Sequence, residues 1–356
     1  MVFGTRVTSI TQDKIVPVVI DAVLNSNVLM ARIFMRDNKR WSGETLRIPL
    51  QVSKPTTGGA FDGVDTFDTS LADTRQRQSF EPKAYYQSVV VSGMEASANS
   101  GSDAEVLNLV KVTMEEAKNA MCDSVGTLLY STGSGKNFQG LGAIVDDGTN
   151  TSTYGSLSRT TYSLLNSTVT ASGGTLTLAN LATPFRGASA ASSARNRPTV
   201  LVTTETVWDL YESLLTPTVR ANYDASGRPQ VTAFSKPGRM IQGEEALKGA
   251  QGFDALSWRG IPVVADEKAD SGVVFQLNEN FLHWYSLKGV DLQTKEVIKG
   301  GVDSVYSEAP KDYPIQWKDL QMPTNQYAEV GQFIMLGNLI SEHTRRHAKL
   351  TGVTSA

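Results

Sequence analysis

The chain has 356 residues, 40% of them hydrophobic and 19% charged, with a formal net charge of -3. That composition belongs to a folded protein of one large or two modest domains and excludes a disordered chain. It also argues against sequence-specific DNA binding, which needs a basic balance clustered on one face.

In chain order, residues 1–40 read as an N-terminal arm. Pro17 interrupts the apolar run Ile15 to Leu24, and the cationic stretch with Arg32, Arg36, Lys39 and Arg40 lacks the sustained period of a packed helix. From Glu44 to Val52, strict alternation puts Leu46, Ile48, Leu50 and Val52 on one strand face, and Pro49 marks that strand as an edge. Lys83 to Ser92, rich in Tyr and Val, is a second strand, and the two are predicted to pair as a long hairpin. Their connection of roughly thirty residues is far longer than an ordinary hairpin loop of two to five, and loops that long are generally functional or disordered.

A long helix is predicted from Asp103 to Tyr130. Val106, Val110, Met114, Ala117, Met121, Val125 and Leu128 recur every three or four residues as one apolar stripe. At 1.5 Å per residue such a helix is about 42 Å long. From Gly133 to Gly174 the chain is rich in Gly, Ser and Thr, which predicts turns and short strands. A mixed α/β region follows: strands at Pro198 to Thr203 and Ile261 to Ala265, and an amphipathic helix at Glu205 to Leu215 with Val207, Leu210, Tyr211 and Leu214 on one face. Two further strands, Gly272 to Leu277 and Phe281 to Ser286, flank a turn at Asn278-Glu-Asn280. Tyr327 to Ile340 is extended and apolar, and Arg345, Arg346 and Lys349 read as a solvated basic tail.

No catalytic signature emerges. Cys122 is the only cysteine, so an intrachain disulfide and a cysteine-held metal cluster are ruled out and a reducing compartment is expected. No basic-then-apolar leader opens the sequence and no window approaches the roughly 18 apolar residues of a membrane span, so neither secretion nor membrane insertion is expected. Gly133-Ser-Gly-Lys136 lacks the first Gly and the final hydroxyl of a phosphate-binding loop, having Tyr130 and Asn137 there, and reads as a turn. His343 and His347 are four apart, but Arg345 and Arg346 between them would repel a cation. Asp62, Asp65, Asp68 and Asp73 do not have the spacing of a calcium loop. Glu115-Glu116, Asp146-Asp147 and Glu244-Glu245 read as surface pairs, His283 as packed, and Cys122 as an inert buried thiol. No metal and no cofactor are expected.

The order of parts resembles the Hong Kong 97 capsid fold of tailed-phage major capsid proteins, an α+β architecture. Several stretches are similar to that family: Glu44-Thr-Leu-Arg-Ile-Pro-Leu50, Phe80-Glu-Pro-Lys-Ala-Tyr-Tyr86, Gly140-Leu-Gly-Ala-Ile-Val-Asp-Asp147 and Gly337-Asn-Leu-Ile340. The resemblance implies an N-arm (1–40), an E-loop hairpin (41–93), a P domain with a long spine helix (94–175), an A domain (176–317) and a return to the P domain (318–356). It implies a non-catalytic major capsid protein whose copies form the hexamers and pentamers of an icosahedral head around double-stranded DNA. Basic groups of arm and tail would then touch the DNA without reading its sequence.

The implied assembly residues are Trp41, Lys54, Asp62, Asp65, Tyr85 and Tyr86, the two tyrosines being equally readable as plain cross-strand aromatics. The implied core of the spine helix is Val106, Val110, Met114, Met121 and Val125. An E-loop crosslink through Lys54 is not expected, since no matching Asn and acid can be aligned. Because the arm begins almost at Met1, a separate scaffolding protein or none is expected. A portal protein and decoration proteins are the other implied partners, with assembly in the host cytoplasm and residence in the virion. The alternatives are an encapsulin-type compartment shell and, more remotely, an enzyme with a dispersed site.

Overall fold

The structure is a computed structural model that describes residues 27–34, 38–71, 73–98, 103–171, 173–189, 194–221, 255–287 and 314–354. Most of the expected arm, and the pair Glu244-Glu245, lie outside these residues.

The first described element is a packed helix, where the sequence pattern of the expected arm predicts none. Helix α1 (Val28–Phe34) buries six of its seven residues, all but Arg32. A helix apolar on nearly every side shows no amphipathic period, so its pattern does not announce a packed helix. Asn27 Oδ1 accepts the amide of Met30 at 2.9 Å, and Asp266 Oδ2 accepts that of Leu29 at 3.1 Å, which satisfies two of the exposed donors at the helix start. Arg32 forms a two-pronged pair with Glu279 at 2.7 and 3.0 Å.

Strand β1 (Lys39–Trp41) follows. Next come β2 (Leu46–Gln51) and β3 (Arg75–Phe80), then β4 (Lys83–Ser92) and the short helix α2 (Gly93–Ala98). The expected hairpin is present with a different partner. β2 pairs antiparallel with β3, from Leu46 opposite Phe80 to Gln51 opposite Arg75, while β4 belongs to another sheet. β3 reads Arg-Gln-Arg-Gln-Ser-Phe, so its alternation is between two kinds of polar residue and gives no hydrophobic signal.

The long helix α3 (Asp103–Tyr130) has the predicted ends. Met114, Ala117, Met121, Val125 and Leu129 are buried along one face, Cys122 is buried beside them, and the helix packs across β4. The side chains of Val106 and Val110 lie outside the described residues. Gly126 lets α1 approach the helix, since a Cβ there would stand 2.5 Å from Asn27 Nδ2.

After α4 (Leu141–Ile144) come the short strands β5 (Thr153–Tyr154), β6 (Leu157–Ser158), β7 (Thr168–Thr170) and β8 (Gly174–Thr175). Then α5 (Leu178–Ser189), β9 (Val200–Thr203) and α6 (Glu205–Ala221) precede β10 (Ala255–Trp258), β11 (Ile261–Ala265), β12 (Val274–Leu277) and β13 (Leu282–Leu287). β14 (Ile315–Gln321), β15 (Ala328–Ser341), β16 (Ala348–Leu350) and β17 (Val353–Thr354) complete the described chain.

Two sheets organise these elements. In the first, β15 pairs antiparallel with β4 along one edge and with β14 and then β13 along the other, and β1 runs parallel to β13. β15 passes from β14 to β13 at Gly337, where a Cβ would stand 2.9 Å from the Trp284 indole nitrogen, so the close approach requires glycine. The second sheet has the order β10-β11-β9-β12-β16-β7. Every residue of β9 and β12 is buried, because this sheet is covered on both faces. Val200 and Val202 join the core shared with α3 and the first sheet, whereas Leu201 joins a second core with Phe185 of α5 and Val207 and Tyr211 of α6.

The two strands predicted around Asn278-Glu-Asn280 do not pair with each other, for β12 enters the second sheet and β13 the first. Asn278 and Glu279 of the link between them are buried. Asn278 donates to Arg195 O at 2.8 Å and Glu279 holds Arg32. Strands from 176–317 and 318–356 therefore share both sheets.

The expectation of a solvated tail is also corrected. His347, which ends a 3-10 turn (Thr344–Arg346), is fully buried, and Lys349, within strand β16 of the second sheet, is 7% exposed. The basic Arg-Arg-His-Ala-Lys order conceals that of these five residues only Arg345 is exposed.

Candidate assembly interface

The β2/β3 ribbon carries a long exposed loop between its two strands. Register places Leu46, Ile48, Leu50, Gln76, Gln78 and Phe80 on one face and Arg47, Pro49, Gln51, Arg75, Arg77 and Ser79 on the other. The first face packs on its own subunit: Gln78 and Phe80 are buried and the three aliphatic residues rest on the main core. Phe80 meets Tyr154 edge to face with ring centroids 5.3 Å apart, and Ser79 N donates to Gly155 O at 2.9 Å. Gly155 adopts φ 56°, and a Cβ there would lie 2.8 Å from Gln78 Cβ, so glycine is needed for both turn and contact.

Tyr154 carries this anchor inward, its hydroxyl donating to Ser341 O at 3.2 Å and accepting Ser341 N at 2.9 Å. Beneath lies a corner of buried polar groups. Arg159, 1% exposed, donates to the carbonyls of Asp146, of Leu165 at 2.8 Å, and of Ala143 and Ile144 at 2.5 and 3.3 Å, closing the end of α4.

Asp146, read from sequence as a surface acid, is fully buried. It accepts the amides of Gly148, Asn150 and Thr151 at 3.0, 3.1 and 2.9 Å, and Lys349 Nζ stands 3.6 Å away. Burial alone would raise its pKa, but these amides, the Asn150 side chain and Lys349 together hold it below the usual carboxylate value. His347 Nδ1 accepts Asn278 N at 3.2 Å, which leaves its Nε2–H to donate to Ser341 Oγ at 2.8 Å. Burial, and then the proximity of His343, push the imidazole down to about 3. Both members of this serine–histidine pair are fully buried.

Beyond the ribbon the character reverses. From Ser53 to Asp73 nearly every described residue is exposed, including the apolar Phe61, Val64, Phe67 and Leu71, with Val64 at 98%. Phe61 and Phe67 meet edge to face within the loop, with centroids 5.0 Å apart. Asp62 accepts Gly63 N, Asp65 accepts Asp62 N and Asp68 accepts Ser70 N, each using one carboxylate oxygen to close a local turn. Among the described residues no group of acids is arranged to hold a metal. A second exposed apolar area lies on the outer face of β4 and its neighbours: Tyr86, Val90, Met94, Met322 and Tyr327.

Of the residues expected from sequence, Lys54, Asp62 and Asp65 share the exposed excursion. Trp41 does not: at 3% exposure it is a core residue of β1, in the sheet with β13. Tyr85 and Tyr86 occupy opposite faces of β4, Tyr85 against the core and Tyr86 at 66% exposure in the second patch. Sequence reading missed Phe61, Val64, Phe67 and Leu71 as a group, and missed the exposed guanidinium face of Arg47, Arg75 and Arg77. The Arg-x-Arg alternation at 75–77 was the available signal. Of the basic groups of the expected arm and tail, Arg32, Lys39 and Lys349 are ion-paired with Glu279, Glu342 and Asp146 of the same chain. No helix among the described residues is long and apolar enough to cross a membrane.

No protein-family model and no curated protein matches the sequence. Solved structures do match. The capsid asymmetric unit of cyanophage A-1(L) is 14% identical, covers 92% of this chain and 93% of its own, and superposes with a TM-score of 0.66. The holo-SrpI encapsulin complex from Synechococcus elongatus PCC 7942 is 10% identical over 91% of this chain and 87% of its own, at 0.51. The capsid of the native GTA particle is 10% identical over 91% and 90%, at 0.50. At such low identity what is shared is the architecture, and it extends over almost the whole chain. The chain has the Hong Kong 97 type capsid fold, as its order of parts implied.

Proposed function

We propose that this chain is the major subunit of an icosahedral phage head, a structural protein whose copies assemble as hexamers and pentamers around double-stranded DNA. The observation that carries this reading is the excursion from Ser53 to Asp73. It holds four large apolar side chains in solvent on a ribbon rigidly mounted to its own subunit. Exposed apolar surface of this kind marks a binding surface, and a loop carried on a ribbon fixed to its own core is suited to reach a neighbour. Subunits related by rotation would then each clasp the next, so that many weak contacts act together. The 14%-identical cyanophage capsid, with the highest TM-score of the three structures described, supports the phage reading.

The spans 41–93 as E-loop, 94–175 with 318–356 as P domain and 176–317 as A domain are part of this proposal, as are a separate scaffolding protein, a portal and decoration proteins. So are non-specific DNA contact, assembly in the host cytoplasm and a final place in the virion. The similarity to the SrpI encapsulin favours a second reading, a compartment shell that encloses protein.

Electron microscopy and sedimentation of the purified chain, alone and co-expressed with its neighbouring genes, test the proposal. Closed shells or tubes of defined diameter are expected, and shells recovered from infected or lysogenic cells should contain nuclease-protected DNA. Protein cargo in place of DNA would favour the compartment. A monodisperse monomer under all these conditions would overturn both.

A further inference from the structure

The charges of the excursion are separated along its length. Arg47, Arg75 and Arg77 lie exposed on the outward face of the ribbon. Asp62, Asp65 and Asp68 lie exposed in the loop that the ribbon carries. None of the six makes an ion pair among the described residues, although the same chain pairs Arg32, Lys39, Lys268 and Lys349 with acids. The three guanidinium groups form no hydrogen bond there either, so their fork-shaped donors are fully available.

The ribbon face is a fixed surface. Its reverse side is held by the buried Phe80 and Gln78, so Arg75 and Arg77 project from a strand that cannot turn over without exposing those residues. The loop begins and ends at the ribbon's far end, joined to Gln51 and Arg75, which face each other in register. Within one chain, and among the described residues, none of its three carboxylates reaches an arginine of that face.

From this arrangement we infer that the arginine face of the ribbon receives the acidic loop of a second copy, with Arg47, Arg75 and Arg77 pairing with Asp62, Asp65 and Asp68. The inference rests on the shell reading and adds to it a charge-matched contact between the excursions themselves. One chain supplies both halves, so the contact is head to tail and can propagate around a ring. Solvent-exposed ion pairs are individually weak, and their main effect is to steer encounter and fix register, with the total multiplied by the number of copies.

A charge swap tests it, with the assembly threshold of the full chain measured by light scattering and the products viewed by electron microscopy. The variants are R75E/R77E, D65K/D68K and the fourfold combination. Each one-sided variant should raise the threshold concentration about tenfold, while the fourfold variant should return to within about threefold of wild type. Free-subunit melting should be unchanged in all three, since every altered residue is exposed. Recovery in the fourfold variant separates copy-to-copy pairing from simple damage to the loop.

One-sided variants that assemble at the wild-type threshold would overturn the inference, and so would a fourfold variant no better than its parents. R75E/R77E shells that form normally but lose bound nucleic acid would assign the arginine face to phosphate and overturn it equally. Absence of any wild-type assembly would sink the shell reading and this inference together, whereas wild-type shells with indifferent variants would sink this inference alone.

Discussion

The buried corner around Asp146, Arg159 and His347 and the exposed excursion from Ser53 to Asp73 treat polar and apolar groups in opposite ways. In the corner, Arg159 reaches four carbonyls, Asp146 three amides and a lysine, and His347 is bonded at both ring nitrogens. Buried polar groups are costly unless paired, so such a network specifies one arrangement of the chain. In the excursion, phenylalanines, a valine and a leucine stand in water beside acids that pair only with nearby backbone. The first region is complete within one subunit. On the proposed reading the second is completed by a neighbouring copy, and Tyr154 joins the two by packing on Phe80 and bonding Ser341.

The sharpest way to break this contrast is through the closed core. Met114→Asp places a carboxylate on the fully buried face of α3 and should cost on the order of 5 kcal/mol, enough to unfold a typical domain. Soluble protein with a wild-type denaturation curve would mean that this face is not buried in solution. Arg159→Met should follow at about 3–5 kcal/mol, because four carbonyls lose their donor and Asp146 loses a nearby cation. Urea unfolding of the free subunit measures it, and a loss below about 1 kcal/mol would show that the corner does not organise the fold.

The pH dependence should be smaller and has a definite sign. His347 titrates near 3 when folded and near its ordinary 6.5 when unfolded. Below 6.5 the unfolded chain takes up the proton that the folded chain refuses, so stability is full above 6.5 and falls as pH drops toward 3. At pH 4.5 the loss from this group is about 2–3 kcal/mol. His347→Gln removes the titration, so its stability should change less than wild type between pH 6.5 and 4.5. Parallel curves for the two proteins would show that the imidazole is not held neutral.

How much of this was readable depended on whether a side chain announces its own environment. The spine helix was, because Met114, Met121 and Val125 recur at helical spacing and only a partner surface explains the stripe. The Leu46, Ile48, Leu50 alternation located β2 for the same reason. Its partner was missed, since Arg75-Gln-Arg-Gln78 has no apolar period and the Tyr- and Val-rich segment at 83–92 looked the better strand. Helix α1 was missed because burial on nearly all sides erases the period. The acid at 146 and the basic residues at 347 and 349 were misplaced, because their partners come from loops brought together only by the second sheet. The open ends of the interface were least legible, as Phe61 and Val64 look like ordinary loop residues until their exposure is seen.

Substitution within the excursion should give the smallest stability effect and the clearest separation of folding from assembly. Val64→Ser should leave free-subunit stability within about 0.5 kcal/mol, since the side chain is 98% exposed, and should still weaken assembly. A fall in monomer stability beyond that range would mean that the loop already packs on its own chain.

Hydrogen exchange compared between free subunits and shells tests the central claim most directly. Amides of β2 and β3 should be protected in both states, because the ribbon's inner face is already packed on its own core. Those from Ser53 to Asp73 should exchange rapidly in the free subunit and become protected in the shell, as contacts with a neighbour offset the cost of ordering the loop. Equal protection of 53–73 in the two states, whether high or low, would contradict the account: the loop would then be either closed by its own subunit or left open in the shell, and in neither case the place where copies meet.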